Sequence, residues 1–166
     1  MAFRAFVVRY ERMVFALLSR MLGHGPEVED LAQETFVRAY RAFPDFDPTG
    51  PAKVSTWLLT IATRLALDAK KKKRADDTPM SDVEPASDRP SNPELSLERR
   101  QLGDAIAAAA EELPDDQRAA LVLAEMHGLS ILEIAAALDV PENTAKTRLF
   151  RAREKMRAAL ANWRMS

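Results

Sequence analysis

The sequence predicts an all-α protein made of two small helical domains joined by a flexible linker, with a helix-turn-helix in the second domain. On both sides of the linker, apolar residues recur with a period of about 3.6, the spacing of one helix face. No alternating strand pattern or hairpin turn pair stands out. The segment between the two parts is acidic and proline-rich and has no aromatic residue, which is typical of a linker.

Composition shifts divide the 166 residues into a first domain at 1–74, a linker at 75–91 and a second domain at 92–166. Four prolines fall between residues 76 and 93, and this stretch lacks the apolar surface needed to fold alone. Periodicity and turn residues predict seven helices, at residues 3–22, 26–43, 55–74, 92–112, 115–126, 131–138 and 141–163. Residues 43–53, with three prolines and one glycine, are expected to form a loop.

Local signals predict several helix ends. Gly23 is expected to end the first helix, and Pro26 suits the start of the second because proline is tolerated at the first helical position. Ser130 with Glu133 three residues later predicts a capping box. Asp139 stands in the turn that follows this short helix, where aspartate tolerates the left-handed conformation at modest cost.

The second helix has an apolar stripe and a polar face. The stripe, which is expected to face the core, consists of Val28, Leu31, Ala32, Thr35, Phe36, Ala39, Tyr40 and Phe43. The opposite face carries Asp30, Gln33, Glu34, Val37, Arg38 and Arg41. On the residues alone, an ordinary solvent-facing surface explains this second set well.

Composition excludes several kinds of site. The chain has no cysteine, which rules out disulfides and thiolate metal sites. His24 and His127 have no acidic or histidine neighbours at ligand spacing, so both are expected to be solvated loop residues. No stretch approaches the roughly 20 apolar residues of a membrane span. We therefore expect a cytoplasmic protein without membrane insertion, catalytic residues, metal, cofactor or small-molecule substrate.

The net charge of −1 conceals a strong charge asymmetry. Residues 53–74 carry seven Lys/Arg and one acid, a net charge of +6, and so do residues 146–164. Residues 75–98 carry one Arg and seven acids, a net charge of −6. Two basic patches separated by an acidic connector indicate two contacts with a polyanion.

The strongest local signal is the pair of helices after Gly128, which predicts a helix-turn-helix. Their packing set is Ile131, Ile134, Ala135, Leu138, Val140, Ala145 and Leu149. The face left over on the last helix, which carries Asn143, Lys146, Thr147, Phe150, Arg151 and Glu154, suits the major groove of DNA. Arg148 and Arg153 lie off this face and are expected to meet phosphates or acidic neighbours. A merely solvated charged face is the alternative.

Motifs in both halves resemble those of one known family, the extracytoplasmic-function (ECF) sigma factors of bacterial RNA polymerase. Residues 29–40 (EDLAQETFVRAY) resemble the polymerase-binding helix of that family. Residues 46–48 (FDP) and 56–62 (TWLLTIA) resemble its promoter-melting segment, and residues 113–118 (LPDDQR), 128–135 (GLSILEIA) and 144–153 (TAKTRLFRAR) resemble its second domain. The motifs occur in the same order as in that family, and the linker occupies the position between the two domains that it has in the family.

The resemblance implies a role for each matching surface. Asp30, Gln33, Glu34 and Arg38 are expected to bind core RNA polymerase. The minus-ten promoter element is expected to meet Phe46, Lys53, Trp57 and Arg64, although Trp57 could equally be a core aromatic. The minus-thirty-five element is expected to meet Lys146, Thr147, Arg148, Phe150, Arg151 and Arg153. The chain departs from the family at Arg64, where asparagine is frequent, and at Asp139, where glycine is usual.

The function predicted from these signals is that of a sigma factor that binds core RNA polymerase and promoter DNA and is controlled by an anti-sigma factor. Two alternatives remain on the residues alone. A stand-alone DNA-binding regulator with a ligand-sensing first domain would bind an operator without polymerase. An adaptor would bind polymerase or another protein without contacting DNA.

Overall fold

The structure is a computed structural model that describes residues 2–23, 25–50, 53–76 and 95–165. These residues form seven α-helices, one short 3-10 helix and no β-strand, so the all-α prediction is confirmed for them. The helices of the first domain are α1 (Ala2–Leu22), α2 (Pro26–Ala42), the 3-10 helix (Phe43–Asp45) and α3 (Val54–Ala75). Those of the second are α4 (Leu95–Glu111), α5 (Asp115–Glu125), α6 (Ile131–Leu138) and α7 (Glu142–Met165). From residue 77 the predicted linker lies outside the described residues, as does the predicted start of α4.

The three helices of the first domain pack around one core, because each buries one stripe of apolar side chains. The buried set includes Val14, Leu17, Leu18 and Met21 of α1, Ala32, Phe36 and Ala39 of α2, and Leu58, Ala62 and Ala66 of α3. Gly23 ends α1 as predicted, with a φ of +86° that favours glycine, and its N–H donates to the carbonyl of Ser19 at 2.8 Å. Pro26 opens α2.

Two members of the predicted core stripe of α2 are exposed, and a third, Leu31, is only partly buried. Tyr40 is 63% exposed and Phe43 is 54% exposed, because they lie at the end of the stripe, where only the first turns of α1 cover them. Tyr40 makes an edge-on contact with Phe3, and Phe43 makes one with Phe6. The predicted loop at 43–53 also differs, since it begins with a 3-10 turn in which the N–H of Phe46 donates to the carbonyl of Phe43 at 3.0 Å.

In the second domain, α6 and α7 form the predicted helix-turn-helix. The Ser130 hydroxyl accepts from the Glu133 N–H at 3.2 Å and the Glu133 carboxylate accepts from the Ser130 N–H at 2.9 Å, which confirms the capping box. Asp139 has φ 55° and ψ 51°, the left-handed conformation expected of it. The predicted packing set lies inside, with Ile134, Ala135, Ala145 and Leu149 buried.

The two domains share one hydrophobic core in which α3 packs against α5 and α6, and α1 packs against α5. His127 follows α5 and does not match its expected solvated state, because it is half-buried and its Nε2 atom has no hydrogen-bond partner. This burial lowers the pKa of His127. His24 lies outside the described residues.

Candidate nucleic-acid interface

One side of α7 is exposed and chemically suited to DNA. Asn143, Lys146, Thr147, Phe150 and Arg151 all face solvent, and Phe150 is 62% exposed. The opposite side of the helix is buried through Ala145, Leu149, Ala152 and Met156. A groove of about 290 Å³ runs beside Phe150 and is lined by Ile131, Lys146, Leu149, Phe150, Arg153 and Arg157. Donors and an apolar ring on one helix face can contact base edges and thymine methyl groups in the major groove.

Two further arginines of α7 pair with acidic residues of α5: Arg148, which is partly buried, and Arg153, which lines the groove beside Phe150. The Arg153 guanidinium is 2.8 Å from the Glu125 carboxylate, and that of Arg148 is 3.4 Å from the Asp116 carboxylate. These pairs hold α7 against α5. By contrast, Lys146 and Arg151 have no ion pair with any residue that the structure describes.

The polar face of α2 is accessible from one end to the other. Asp30 and Gln33 are exposed, and Glu34 is ion-paired with Arg38 at 3.1 Å across one helical turn. Val37, between them, is 40% exposed. An exposed valine flanked by charges of both signs suits a protein partner, since charge complementarity can fix the register of a helix on its partner.

Between α2 and α3 lies a cluster of three aromatic rings. The rings of Phe46 and Trp57 have centroids 4.8 Å apart, and Phe43 completes the cluster at 6.5 Å from Trp57. Phe46 and Trp57 are both partly exposed, and Trp57 also packs against the hydrophobic core. Partly exposed aromatic rings can stack on the bases of single-stranded nucleic acid.

The loop after Phe46 is ordered by Asp47, which sequence reasoning did not single out. The Asp47 carboxylate accepts from the Thr49 hydroxyl at 2.6 Å and from the Thr49 N–H at 2.9 Å. Both hydrogen bonds lower the pKa of the Asp47 carboxyl, and the bond from the Thr49 hydroxyl has the larger effect. Gly50 closes the turn, and a Cβ there would lie 3.2 Å from the Asp47 carbonyl oxygen. The sequence signal that could have predicted this turn is the residue order Asp-Pro-Thr-Gly at positions 47–50, which is typical of turns.

Several polar and basic residues of α3 face the second domain. Arg64 donates to the carbonyl of Ala136 at 3.0 Å, and the Thr56 hydroxyl donates to the Glu133 carboxylate at 3.1 Å. The hydrogen bonds of Glu133, above all that from the Ser130 N–H, lower the pKa of its carboxyl, and the charge of Lys53 contributes to this shift. The sequence carried no signal for these contacts between domains.

The basic end of α3 is partly neutralised by acidic neighbours. Lys73 pairs with Glu27 at the start of α2, and the Arg74 guanidinium is 2.8 Å from the Asp115 carboxylate of α5. Lys70 is half-buried beside them. In the described ranges, no group of three or more His, Asp or Glu side chains could hold a metal ion. Nor is any helix there long and apolar enough to cross a membrane.

Comparison with known proteins accounts for both domains. Residues 6–75 match the family model of sigma-70 region 2, and residues 103–156 match that of sigma-70 region 4. These regions define the class of the protein, which is that of the sigma subunits of bacterial RNA polymerase. The fold agrees, because the polar face of α2, the aromatic cluster and α3 all lie in the first match, and α6 and the first half of α7 lie in the second.

Sequence identity to individual relatives shows to which family of sigma subunits the chain belongs. The chain is 39% identical to the ECF RNA polymerase sigma-E factor of Escherichia coli (strain K12), over 92% of this chain and 83% of that protein. It is 37% identical to the ECF sigma factor SigW of Bacillus subtilis (strain 168), over 96% and 89%. The protein therefore belongs to the ECF family of RNA polymerase sigma factors, and it directs promoter-specific transcription initiation.

Solved structures show the same fold. RpoE of Bartonella quintana, determined in complex with the anti-sigma factor NepR, aligns with a TM-score of 0.75 at 22% identity, over 96% of this chain and 97% of that one. CnrH, determined in complex with the cytosolic domain of CnrY, aligns with a TM-score of 0.65 at 29% identity, over 97% and 88%.

Proposed function

We propose that this sigma factor uses three separate surfaces to bind core RNA polymerase and the two promoter elements. Asp30, Gln33, Glu34 and Arg38 bind core RNA polymerase; Phe46, Lys53, Trp57 and Arg64 bind the minus-ten element; and Lys146, Thr147, Arg148, Phe150, Arg151 and Arg153 bind the minus-thirty-five element. The observation that carries the proposal is α7, which exposes donors and an aromatic ring on one side while its other side is buried. Arg148 and Arg153, which are paired with α5, contribute to phosphate contacts rather than to base recognition.

The domain boundaries follow from these assignments. Residues 1–74 bind polymerase and melt the minus-ten element, residues 75–91 tether the domains, and residues 92–166 bind duplex DNA. Because α3 continues to Ala75, the first boundary falls at the end of a helix. A tether raises the effective concentration of the second DNA contact once the first is made.

The aromatic cluster is proposed to hold an unstacked base of the melted strand. Replacing Trp57 with Ala should weaken holoenzyme binding to a single-stranded minus-ten oligonucleotide by about tenfold, since stacking on an aromatic side chain contributes about 1–3 kcal/mol per base. Binding to a minus-thirty-five duplex should change little. Fluorescence anisotropy of labelled oligonucleotides measures both affinities.

Trp163→Ala is the matched control, because it removes the other tryptophan of the chain, near the end of α7. It should leave single-strand binding unchanged. If Trp57→Ala weakened both DNA contacts equally, Trp57 would be a core residue whose loss destabilises the whole chain, and its assignment to minus-ten DNA would be wrong.

The partners and setting follow from the family. RpoE of Bartonella quintana, which shares this fold, was solved with an anti-sigma factor, and this supports an anti-sigma factor as a further partner of this chain. The place of action is the cytoplasm, where polymerase and promoters are found. As a polymerase subunit the chain needs no catalytic group, metal, cofactor or small-molecule substrate of its own, because it contributes recognition and melting and the core enzyme contributes the chemistry.

A further inference from the structure

The exposed side of α7 begins at Asn143, a residue to which the three proposed surfaces give no role. Asn143 is exposed and is the second residue of the helix. The cap position before the helix is taken by Pro141, whose carbonyl accepts from the Ala145 N–H at 3.1 Å. The exposed residues that follow on the same face, at intervals of three, four, seven and eight positions, are Lys146, Thr147, Phe150 and Arg151. Asn143 therefore lies at the leading end of the surface proposed to bind minus-thirty-five DNA.

The side-chain amide of Asn143 is not used within the fold. It makes no hydrogen bond with any residue in the parts of the chain that the structure describes. Thr147, one turn further along, does not engage it, because the Thr147 hydroxyl donates instead to the backbone carbonyl of Asn143 at 3.0 Å. Asparagine is a weaker helix former than alanine and stabilises helices chiefly at the cap position, which Pro141 occupies here. Neither capping nor packing accounts for an asparagine at this position, and both the oxygen and the NH2 group of its amide are available to a ligand.

The chemistry of an unengaged amide selects one base in the major groove. The amide offers one acceptor, its oxygen, beside one donor, its NH2 group. Adenine presents the complementary pair, the N7 acceptor and the N6 amino donor, and so forms two hydrogen bonds with one asparagine. Guanine presents two acceptors and cytosine a single donor, so each of them satisfies only half of the amide. Lys146 and Arg151, which carry donors alone, suit guanine instead.

We propose that Asn143 is a specificity-determining residue that recognises one adenine of the minus-thirty-five element through the N6 and N7 atoms of the base. The inference rests on the proposed function, since it requires that this face of α7 lie in the major groove. The N-terminal residues of a recognition helix are the ones that contact base edges, and Asn143 lies in the first turn of α7. Thr147 adds a methyl group one turn further along, so the same end of the helix suits both bases of an A·T pair.

The geometry of the helix also limits where this adenine lies. Asn143 and Arg151 are eight residues apart, which is about 12 Å along the axis of an α-helix. Successive base pairs are about 3.4 Å apart, so the adenine lies within about four base pairs of the base that Arg151 contacts. The two side chains should therefore govern two different positions of a single minus-thirty-five element.

Base substitution in a promoter that the holoenzyme transcribes tests the proposal. Each base pair of the minus-thirty-five element is changed in turn to the other three, and the affinities of the wild-type and Asn143→Ala holoenzymes are measured. Wild type should prefer adenine by about tenfold at one position, and Asn143→Ala should reduce that preference to about twofold or less while it keeps the others. The matched control is Asn162→Ala, which removes an exposed asparagine near the other end of α7 and should keep every preference.

A second measurement needs no change in the protein and therefore does not depend on how the variant folds. Adenine can also be favoured through the shape of A·T-rich DNA, without any base contact. Replacing the adenine with 7-deazaadenine removes the N7 acceptor and keeps the base pair, so it separates direct contact from shape. The affinity of wild type should fall by about fivefold, as expected for one lost hydrogen bond. Asn143→Ala should bind both promoters equally, because it no longer makes that bond.

Four results would overturn the proposal. They are an Asn143→Ala profile equal to that of wild type, loss of preference for a base other than adenine, an equal loss of affinity for all promoters, and wild-type binding that 7-deazaadenine does not change. Failure of the proposed function gives a different pattern. If Arg151→Ala alters base preference and Asn143→Ala does not, only the role of Asn143 is wrong, whereas a wild-type holoenzyme without any preference in the minus-thirty-five element refutes the assignment of α7 itself.

Discussion

Reversing the charges of Asp30 and Arg38 together, as Asp30→Lys and Arg38→Glu, should abolish capture of core RNA polymerase by this sigma factor. Both side chains are exposed on the polar face of α2. Juxtaposed like charges in an interface cost several kcal/mol, so the affinity should fall by more than about a hundredfold. The helix itself should tolerate the change. In wild type Glu34 is attracted by Arg38 and repelled by Asp30, and the double reversal only exchanges these two interactions, so their sum changes little.

A pull-down of core enzyme with the tagged full chain measures this effect, and circular dichroism shows whether helicity is kept. The matched control is Arg99→Glu with Asp104→Lys on α4, where both residues are exposed and lie outside the proposed polymerase surface. The control should capture polymerase normally. Undiminished capture by the α2 variant would remove these residues from the polymerase interface.

Replacing Arg151 with Ala should weaken promoter binding by the holoenzyme by about 1–3 kcal/mol and relax its preference at particular minus-thirty-five bases. Arg151 is exposed on the side of α7 that also presents Lys146, Thr147 and Phe150, and it makes no ion pair with another described residue. Its guanidinium is therefore free to donate two hydrogen bonds to a guanine edge.

Arg153→Ala is the comparison, since Arg153 is paired with Glu125, whereas Arg151 has no such partner among the described residues. Its loss should weaken binding to all promoter variants alike and reduce the salt dependence, as expected of a phosphate contact. Affinities across minus-thirty-five variants at several salt concentrations separate the two effects. The division between base recognition and phosphate contact is wrong if both variants keep the base-preference profile of wild type.

Local features of the fold were predictable because their causes lie within a few residues of one another. Gly23, Pro26 and the Ser130–Glu133 pair predicted helix ends that the structure confirms, since turns and caps depend on neighbouring backbone groups. The left-handed Asp139 was predicted on the same basis. Periodicity likewise placed the buried faces of α2 and α7.

Features that depend on distant parts of the chain were missed. Tyr40 and Phe43 continue the apolar period of α2, but periodicity does not reveal where the covering helix ends, and both are exposed. The hydrogen bond of Arg64 with the carbonyl of Ala136 joins residues that are 72 positions apart, and no sequence pattern predicted it. The candidate surfaces of the first domain were located by family motifs, whereas that of α7 followed from the helix-turn-helix pattern.

The central claim is that this chain gives core RNA polymerase its promoter specificity. In vitro transcription with purified core enzyme on a promoter library, with and without the protein, tests that claim most directly. We expect transcripts that start at defined positions downstream of shared minus-thirty-five and minus-ten sequences, and only when the protein is present. The same transcripts with and without the protein, although it binds polymerase or DNA, would contradict the claim and favour an adaptor or a stand-alone regulator.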